Sequence, residues 1–271
     1  MTAHVSAIHV FPLKSGAALA PREAVVEPRG LAGDRRWMVV DADARFVTGR
    51  AFARLPLVRA DPRADGLVLE APGMPALHVA LPPDDAPRID TAVWGAPVRP
   101  LLAAPSAHDW ISGFLGARLR LVYMDDACER PLTAKYDGRY GRDGDRVSFA
   151  DGFPLLLISQ AALDALNARL ERPVPMLRFR PNLVIAGTAP HAEDQWRRIR
   201  VGSVEFEVSR ACTRCVFTTV DFERGERDPA GEPLRTLAGY RRTADGITFG
   251  RNLIPRGGGA VRIDDPVAVL D

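Results

Sequence analysis

Two cysteines in the last quarter of the chain have the residue type and the neighbours for metal or sulfur chemistry. Cys212 and Cys215 flank Arg214 and precede Val-Phe-Thr-Thr-Val, which has the composition of a strand. A thiol held rigidly beside a cation is biased toward the thiolate, which is both a nucleophile and a soft metal ligand. We therefore predict that residues 210–221 form the reactive end of the molecule.

The Cys-x-x-Cys spacing by itself leaves two plain alternatives, incidental packing of two small residues or half of a structural zinc site. A tetrahedral zinc site needs two further ligands at suitable spacing. The third cysteine, Cys128, is distant in sequence, and the five histidines are scattered. The spacing alone does not decide between packing and chemistry.

The composition sets limits on the class of protein. The chain has 271 residues, of which 46% are hydrophobic, enough for one large domain or two ordinary ones. A net charge of +2 does not indicate a polyanion-binding surface, so we expect no nucleic-acid partner. No apolar run approaches the roughly 20 residues that cross a membrane, and the amino terminus lacks a signal-peptide pattern. We expect a cytoplasmic protein with free thiols and no membrane contact.

Several basic residues of the first half lie on predicted loops and turns. Period-two alternation predicts a strand over residues 5–10, so Lys14 and Ser15 lie on the loop that follows. A strand over residues 24–27 leads into a glycine-punctuated turn that carries Arg35, and residues 37–48 predict a hairpin. Short strands follow, then a helix over residues 106–115 with Ser106 as its N-cap, and a strand over residues 118–123.

The second half alternates strands and helices after a loop over residues 125–146. A buried strand over residues 153–158 delivers Ser159 as the cap of a helix whose apolar positions extend to Leu170. Arg180 and Asn182 then stand where a strand begins. A hairpin over residues 199–208 leads to the cysteines, and a short helix over residues 233–240 precedes closing strands over residues 247–254 and 261–270.

Several separated motifs, in order, resemble a known family. The run Phe-Arg-Pro-Asn-Leu-Val-Ile at residues 179–185, followed by Cys-Thr-Arg-Cys at residues 212–215 and Thr-Thr-Val-Asp at residues 218–221, resembles the MOSC domain. That domain is named for the carboxyl terminus of molybdenum cofactor sulfurases. Residues 12–15 and 33–37 resemble the β-barrel domain that precedes it. The closest subgroup is the mitochondrial amidoxime reducing component with its bacterial relatives.

The resemblance covers nearly the whole chain and implies both the fold and the domain limits. It implies an α+β, β-rich fold in which an N-terminal β-barrel domain, residues 1–124, packs on a MOSC β-barrel domain, residues 125–271, with a few short helices.

The resemblance also implies a cofactor and its ligands. Cys215 would be the protein thiolate on the molybdenum of a molybdopterin-type cofactor. The pyranopterin and its terminal phosphate would be held by Lys14, Ser15, Arg35, Arg180, Asn182, Thr213 and Arg214. A phosphate dianion suits such a convergence of arginines, a lysine and hydroxyl donors, and thiolate sulfur suits a metal already ligated by dithiolene sulfurs.

The implied activity is reduction of N-hydroxylated compounds, among them amidoximes, hydroxylamines and N-hydroxylated bases, to amines or amidines. Glu193 or Asp194 would supply protons as catalytic residues, with a solvated acidic loop as the plain alternative. No cysteine follows Cys215, so no ferredoxin-type cysteine set is present. We expect electrons to come from a separate electron-transfer protein or flavin reductase.

Three other functions stay open at this point. A sulfur carrier would hold a persulfide on Cys215 or Cys212, but it needs no cluster of phosphate-binding cations. A pyridoxal-phosphate enzyme would need a Schiff-base lysine, and the chain has only Lys14 and Lys135. A non-catalytic binding module is the last alternative.

Overall fold

The chain folds into many short strands and a few short helices in the computed structural model, which describes residues 2–132 and 139–271. The first half contains β1 (His4–Ile8), β2 (Glu23–Glu27), β3 (Gly30–Leu31), β4 (Trp37–Asp41), β5 (Arg59–Arg63), β6 (Gly66–Glu70), β7 (Leu77–Ala80), β8 (Thr91–Val93), β9 (Ala96–Val98), β10 (Leu101–Leu102), α1 (Pro105–Leu115) and β11 (Leu119–Tyr123). The second half contains β12 (Leu155–Ser159), α2 (Gln160–Asn167), β13 (Leu183–Ala186), β14 (Arg198–Val201), β15 (Val204–Thr213), β16 (Val220–Asp221), β17 (Glu226–Arg227), α3 (Leu234–Tyr240), β18 (Arg242–Thr243), β19 (Gly246–Pro255), β20 (Gly259–Arg262) and β21 (Val267–Val269). With 37% strand and 16% helix, the predicted α+β, β-rich class is confirmed.

The largest sheet curves into a nearly closed barrel. Its strands follow the order β1-β13-β12-β19-β15-β14-β21, with β12 and β13 parallel and the other neighbours antiparallel. The amide of Val5 donates to the carbonyl of Asp265 at 3.0 Å, and the amide of Val267 donates to the carbonyl of Ala3 at 2.9 Å, so the first strand meets the last. The pairing of β1 with β13 and of β2 with β20 crosses the predicted domain boundary at residue 124, which stays a prediction.

The apolar run of β12 is buried on both faces. Leu155 and Leu157 point into the barrel core, whereas Leu156 and Ile158 pack with α2 and Phe179 on the other face. Successive side chains of a strand alternate between faces, so a strand covered on both sides is apolar throughout. Leu155 and Leu156 of this strand also line the cleft that is described below.

The first half forms smaller antiparallel sheets around its own core. β4 pairs with β11, and β11 with β10, while β5, β6 and β7 form a second sheet and β8 and β9 a hairpin. Trp110 and Phe114 of α1 pack into this core. No helix in the described ranges is long and apolar enough to cross a membrane.

Some local predictions were wrong and others were confirmed, and helix α2 ends at Asn167, before the predicted Leu170. Helix α1 begins at Pro105 with Ala104 in the cap position, so Ser106 is not the N-cap; proline is well suited to the first helical position because its missing N–H needs no partner there. The segment after Cys215 is a 3-10 turn, Val216–Thr219, and not a strand. The Ser159 hydroxyl accepts from the amide of Ala162 at 3.3 Å, as predicted, and α3 lies where a short helix was expected. The predicted loop over residues 125–146 lies in part, at residues 133–138, outside the described residues.

Candidate functional site

Loops from both halves of the chain meet at a cleft with an empty volume of about 820 Å³. All eight residues predicted to contact a cofactor line this cleft: Lys14, Ser15, Arg35, Arg180, Asn182, Thr213, Arg214 and Cys215. They are up to 201 positions apart, the difference between 215 and 14. Folding therefore brings together residues that are far apart in the sequence.

Cys215 stands where β15 has ended and a 3-10 turn begins. Its backbone is extended, and its carbonyl accepts from the amide of Thr218 at 3.0 Å and from the Thr218 hydroxyl at 2.9 Å. In the described part of the chain, no hydrogen bond involves the half-buried Cys215 Sγ. Cys215 thus has a fixed backbone and a sulfur that is available to a ligand.

Cys212 has a different environment from Cys215. Its Sγ lies 2.9 Å from Nη1 of Arg214, and its side chain packs against the apolar cluster around α2. Among the described residues, no three His, Cys, Asp or Glu side chains gather in a group that could hold a metal ion. The two cysteines are therefore distinguishable, with Cys212 serving to hold Arg214 in place.

Arg180 is a buried cation that keeps a spare donor. It follows the 3-10 turn Met176–Phe179 with a left-handed backbone, φ 57°. Its Nη1 donates to the carbonyl of Gly16 at 2.6 Å, and its guanidinium lies 4.0 Å from the ring centroid of Phe11. Burial, reinforced by the nearby Arg35, holds the pKa of Arg180 well below its usual range. Its buried Nη2 has no partner in residues 2–132 or 139–271.

Arg214 also keeps a spare donor. Its Nη2 donates to the carbonyl of Phe179 at 2.6 Å, while its Nε is buried without a partner in the described ranges. We call Arg180 and Arg214 the outer cations. Both combine a fixed guanidinium with a buried N–H that could donate a hydrogen bond to an anion at the cleft.

Arg35 and Asn182 belong to a second polar group, the inner network, with Asp34 and His9. Arg35 donates to the Asp34 carboxylate, and its Nη1 donates to Oδ1 of Asn182 at 3.1 Å. The Asn182 Nδ2 donates to Oδ1 of Asp34 and to the carbonyl of His9, both at 3.1 Å. Its Oδ1 also accepts from the amide of Leu156 at 3.2 Å. Asn182 therefore ties the first-half loops to the barrel, with its hydrogen-bonding capacity filled.

Lys14 is a further cation of the cleft. Its side chain is buried, and Nζ donates to the carbonyl of Phe149 at 2.7 Å and to Oδ1 of Asp151 at 2.5 Å. Burial lowers the pKa of Lys14 to about 8, against the opposing pull of the Asp151 carboxylate. Ser15 follows in a left-handed conformation, φ 64°, and also lines the cleft.

Sequence reasoning missed Asp151, a carboxylate among the cations of the cleft. It lies on a loop held by buried Arg130, whose guanidinium donates to the carbonyls of Ser148 at 2.7 Å and Asp151 at 3.0 Å. The indole Nε1 of Trp94 also donates to Oδ1 of Asp151 at 3.0 Å. An isolated aspartate on a loop gives no periodic signal, so only the partner residues reveal it.

Arg178 and Phe217 were missed as well, although Arg178 directly precedes the motif at residues 179–185 and Phe217 lies within residues 210–221. Arg178 donates to the carbonyl of Thr218 at 3.4 Å and to Oδ2 of Asp221 at 3.3 Å, which braces the turn after Cys215. Phe217 lies so near Gly49 that a Cβ there would be 2.0 Å from its ring. A larger residue at position 49 would displace this ring, so glycine lets the turn after Cys215 pack closely against the first half.

Glu193 and Asp194 do not reach the cleft. Glu193 is fully buried, its Oε1 accepts from the amide of Ser159 at 3.1 Å, and burial raises its pKa. Asp194 pairs with Nη2 of Arg241 at 2.6 Å. Both side chains are occupied with the start of α2 and with Arg241, so their catalytic role stays a prediction without support from this geometry.

The fold and the site define a class of protein. The family model for the MOSC domain matches residues 144–268, and the model for the MOSC N-terminal beta barrel domain matches residues 2–118. Every cleft residue from Asp151 onward falls in the first match, and Lys14, Ser15 and Arg35 fall in the second.

Curated relatives narrow the class. Mitochondrial amidoxime-reducing component 1 of Mus musculus is 34% identical over 280 residues, covering 98% of this chain and 82% of the relative. The human component 1 is 30% identical with the same coverage, and component 2 of Rattus norvegicus is 32% identical over 97% of this chain and 82% of its own. The chain belongs to the family of mitochondrial amidoxime-reducing components.

Proposed function

We propose that the chain is a molybdenum-cofactor-dependent oxidoreductase that reduces N-hydroxylated compounds, such as amidoximes, hydroxylamines and N-hydroxylated bases, to amidines or amines. The observation that carries this proposal is the pair of outer cations, which keep buried donors without partners beside an available Cys215 sulfur. The relatives are named for amidoxime reduction, which supports the same reaction class here.

The donor set fits a cofactor that has a phosphate and a sulfur-ligated metal. A buried N–H without a partner is costly, about 1–3 kcal/mol, and a phosphate oxygen removes that cost. Arg180 and Arg214 supply such donors, and Ser15 and Thr213 bring hydroxyls to the same cleft. The Cys215 thiolate is a suitable ligand for a soft metal. A sulfur carrier has no use for these cations, so the enzyme is the favoured reading.

A molybdenum cofactor in this cleft would supply the two-electron redox chemistry. Residues of the chain would bind and orient it, with Cys215 at the metal and the outer cations and Lys14 at the phosphate. Lys14 Nζ holds its proton at neutral pH, because its pKa is about 8, and so remains a charged donor beside the Asp151 carboxylate. The inner network fixes the loops on which these groups stand.

The reaction itself balances with two electrons and two protons. An amidoxime loses its hydroxyl oxygen as the N–O bond breaks, and the products are one amidine and one water. A separate electron-transfer protein or flavin reductase would supply the electrons. The cytoplasmic location expected from the sequence stays a prediction, and the relatives' names place those proteins in mitochondria.

The experiment is reduction of benzamidoxime by the chain purified from a host that makes the cofactor, with dithionite as reductant. Cys215→Ala should lower turnover by about a hundredfold or more with an unchanged melting temperature, because the metal loses its protein ligand. Cys212→Ala is the matched control and should be milder. Turnover that survives in Cys215→Ala and fails in Cys212→Ala would reverse the ligand assignment, and no turnover in the loaded wild type would refute the proposal.

A further inference from the structure

A second cavity, which we call the side groove, opens beside the cleft with an empty volume of about 1000 Å³. Its lining includes Phe46, Trp94, Arg45, Arg118 and Asp41. Thr48 and Arg50 line both the side groove and the cleft, so the two spaces are neighbours across these residues. A lining that combines aromatic rings with a few charged groups suits a small organic ligand.

The aromatic wall of the side groove is held in an unfavourable backbone conformation. Trp94 has φ 52° and precedes Gly95 with φ 87° in the turn between β8 and β9. Asparagine, aspartate or glycine is usual at such positions, and a bulky side chain there is an outlier. Phe46 meets Trp94 edge to face with ring centroids 4.8 Å apart. Strain of this kind persists where the surroundings require the side chain.

Trp94 also connects the side groove to the cleft. Its indole donates to the same Oδ1 of Asp151 that accepts from Lys14 Nζ. The Arg50 guanidinium lies 4.3 Å from the centroid of the Trp94 ring. A ring stacked on this wall would therefore lie next to the space lined by Lys14 and Cys215.

The charges of the side groove favour an anion. Three arginines, Arg45, Arg50 and Arg118, line it together with the carboxylate of Asp41, and Arg45 pairs with Oδ2 of Asp43 at 3.2 Å. Oδ1 of Asp41 already accepts from the amides of Asp43 and Arg45, at 2.9 and 2.8 Å. Within the described residues, the guanidinium groups of Arg50 and Arg118 make no hydrogen bond or ion pair. Arg50 already stacks on the Trp94 ring, which leaves Arg118 to meet a negative charge on a ligand.

We propose that the side groove binds the body of the substrate and selects planar aromatic N-hydroxylated compounds that carry an anionic group. The ring would pack on Trp94 and Phe46, the anionic group would meet Arg118, and the N-hydroxylated end would enter the cleft past Thr48 and Arg50. This inference rests on the proposed function and adds the substrate class and the residues that determine it.

The test compares two substrates with the same reacting group, benzamidoxime and 4-carboxybenzamidoxime, on the cofactor-loaded chain. The wild type should prefer the carboxylate through a lower KM. Arg118→Gln should raise the KM for 4-carboxybenzamidoxime about fivefold, with kcat and the benzamidoxime KM unchanged, since an exposed ion pair is worth about 1 kcal/mol or less. Added salt should weaken the preference in the wild type.

Arg200→Gln is the matched control because Arg200 is an exposed arginine on β14, outside the groove lining, and its loss changes the net charge equally. Arg118→Glu should reverse the preference, and Arg45→Gln repeats the test if an Arg118 variant fails to fold. Equal kinetics for both substrates in the wild type and all variants, with benzamidoxime turned over, would overturn this inference and leave the proposed function standing. If the loaded chain reduces neither substrate, the proposed function fails and this inference fails with it.

Discussion

The inner network and the outer cations are both buried, polar and part of the same cleft, yet they are satisfied to different degrees. In the inner network, Asn182 uses both of its amide hydrogens and accepts two bonds on its oxygen. Arg180 and Arg214 of the outer pair each keep a buried N–H without a partner in the described chain. A buried side chain whose hydrogen-bonding capacity is filled has a structural role, whereas a buried donor without a partner indicates a site for a ligand.

The difference arises within three residues of one motif. Arg180 takes a left-handed backbone after a 3-10 turn, which places its guanidinium over Phe11 at the cleft. Asn182, two residues later, joins the ladder beside Leu156, where its amide donates to the Leu156 carbonyl at 2.8 Å. The resemblance implies that both residues are cofactor ligands. In the structure, the hydrogen bonds of Asn182 to Asp34, His9 and Leu156 hold the loops that carry the cleft residues in position.

The largest expected effect comes from breaking the inner network. Asn182→Leu should lower the free energy of unfolding by about 3 kcal/mol or more, because it leaves several buried partners unpaired, including the Asp34 carboxylate. Urea denaturation of the apoprotein measures this. The control is Asn252→Leu, which removes a single bond to the carbonyl of Arg210 and should cost about 1 kcal/mol. Equal losses in the two variants would show that the inner network has no special structural role.

A smaller effect is expected from the protonation of Lys14, whose pKa is about 8 against an ordinary value of 10.5. Below pH 8 the ammonium is charged and can bind phosphate; above it, cofactor affinity should fall by up to about tenfold per pH unit. The stability of the apoprotein should change in the opposite direction. Between pH 8 and 10.5 the unfolded chain binds more protons at this residue, so the free energy of unfolding rises with pH.

Cofactor retention and urea denaturation, each followed across pH 7 to 10.5, check both signs, with Lys14→Met as the control that should flatten both curves. Retention that rises above pH 8, or a slope that persists in Lys14→Met, would show that another group titrates.

The smallest effect is expected away from the cleft. Asp194→Asn removes one partner of the Arg241 ion pair and should cost about 1 kcal/mol of stability, with benzamidoxime turnover within about twofold of the wild type. Steady-state kinetics beside a melting curve measure the two quantities. A collapse of turnover in a folded Asp194→Asn protein would restore this residue to a catalytic role.

The sequence predicted the features that depend on local pattern. The apolar run of β12, the Ser159 cap and helix α3 all carry their signal in neighbouring residues. The residues that the resemblance assigns to a cofactor come from motifs in both halves of the chain, and they lie together at the cleft.

The features that were missed depend on partners distant in sequence. The stretch after Cys215 has β-branched residues typical of a strand, but contacts with Arg178 and Gly49 hold it as a 3-10 turn. The acidic pair at Glu193 was expected to supply protons, yet its position is set by the amide of Ser159, 34 residues away. Neither outcome can be derived from a window of neighbouring residues.

The most direct measurement is molybdenum and pterin content per chain, taken on protein from a host that makes the cofactor and compared between the wild type and Arg180→Met. Methionine can pack on Phe11 but removes the spare donor, the Nη1 bond to the carbonyl of Gly16 and the buried charge. The relief of a buried charge offsets the lost bond in the apoprotein. The wild type should carry stoichiometric molybdenum, and Arg180→Met should bind about ten- to a hundredfold more weakly, with a scarcely changed apoprotein melting temperature. Unchanged occupancy together with a large fall in melting temperature would show that the outer cations are structural and would contradict the account.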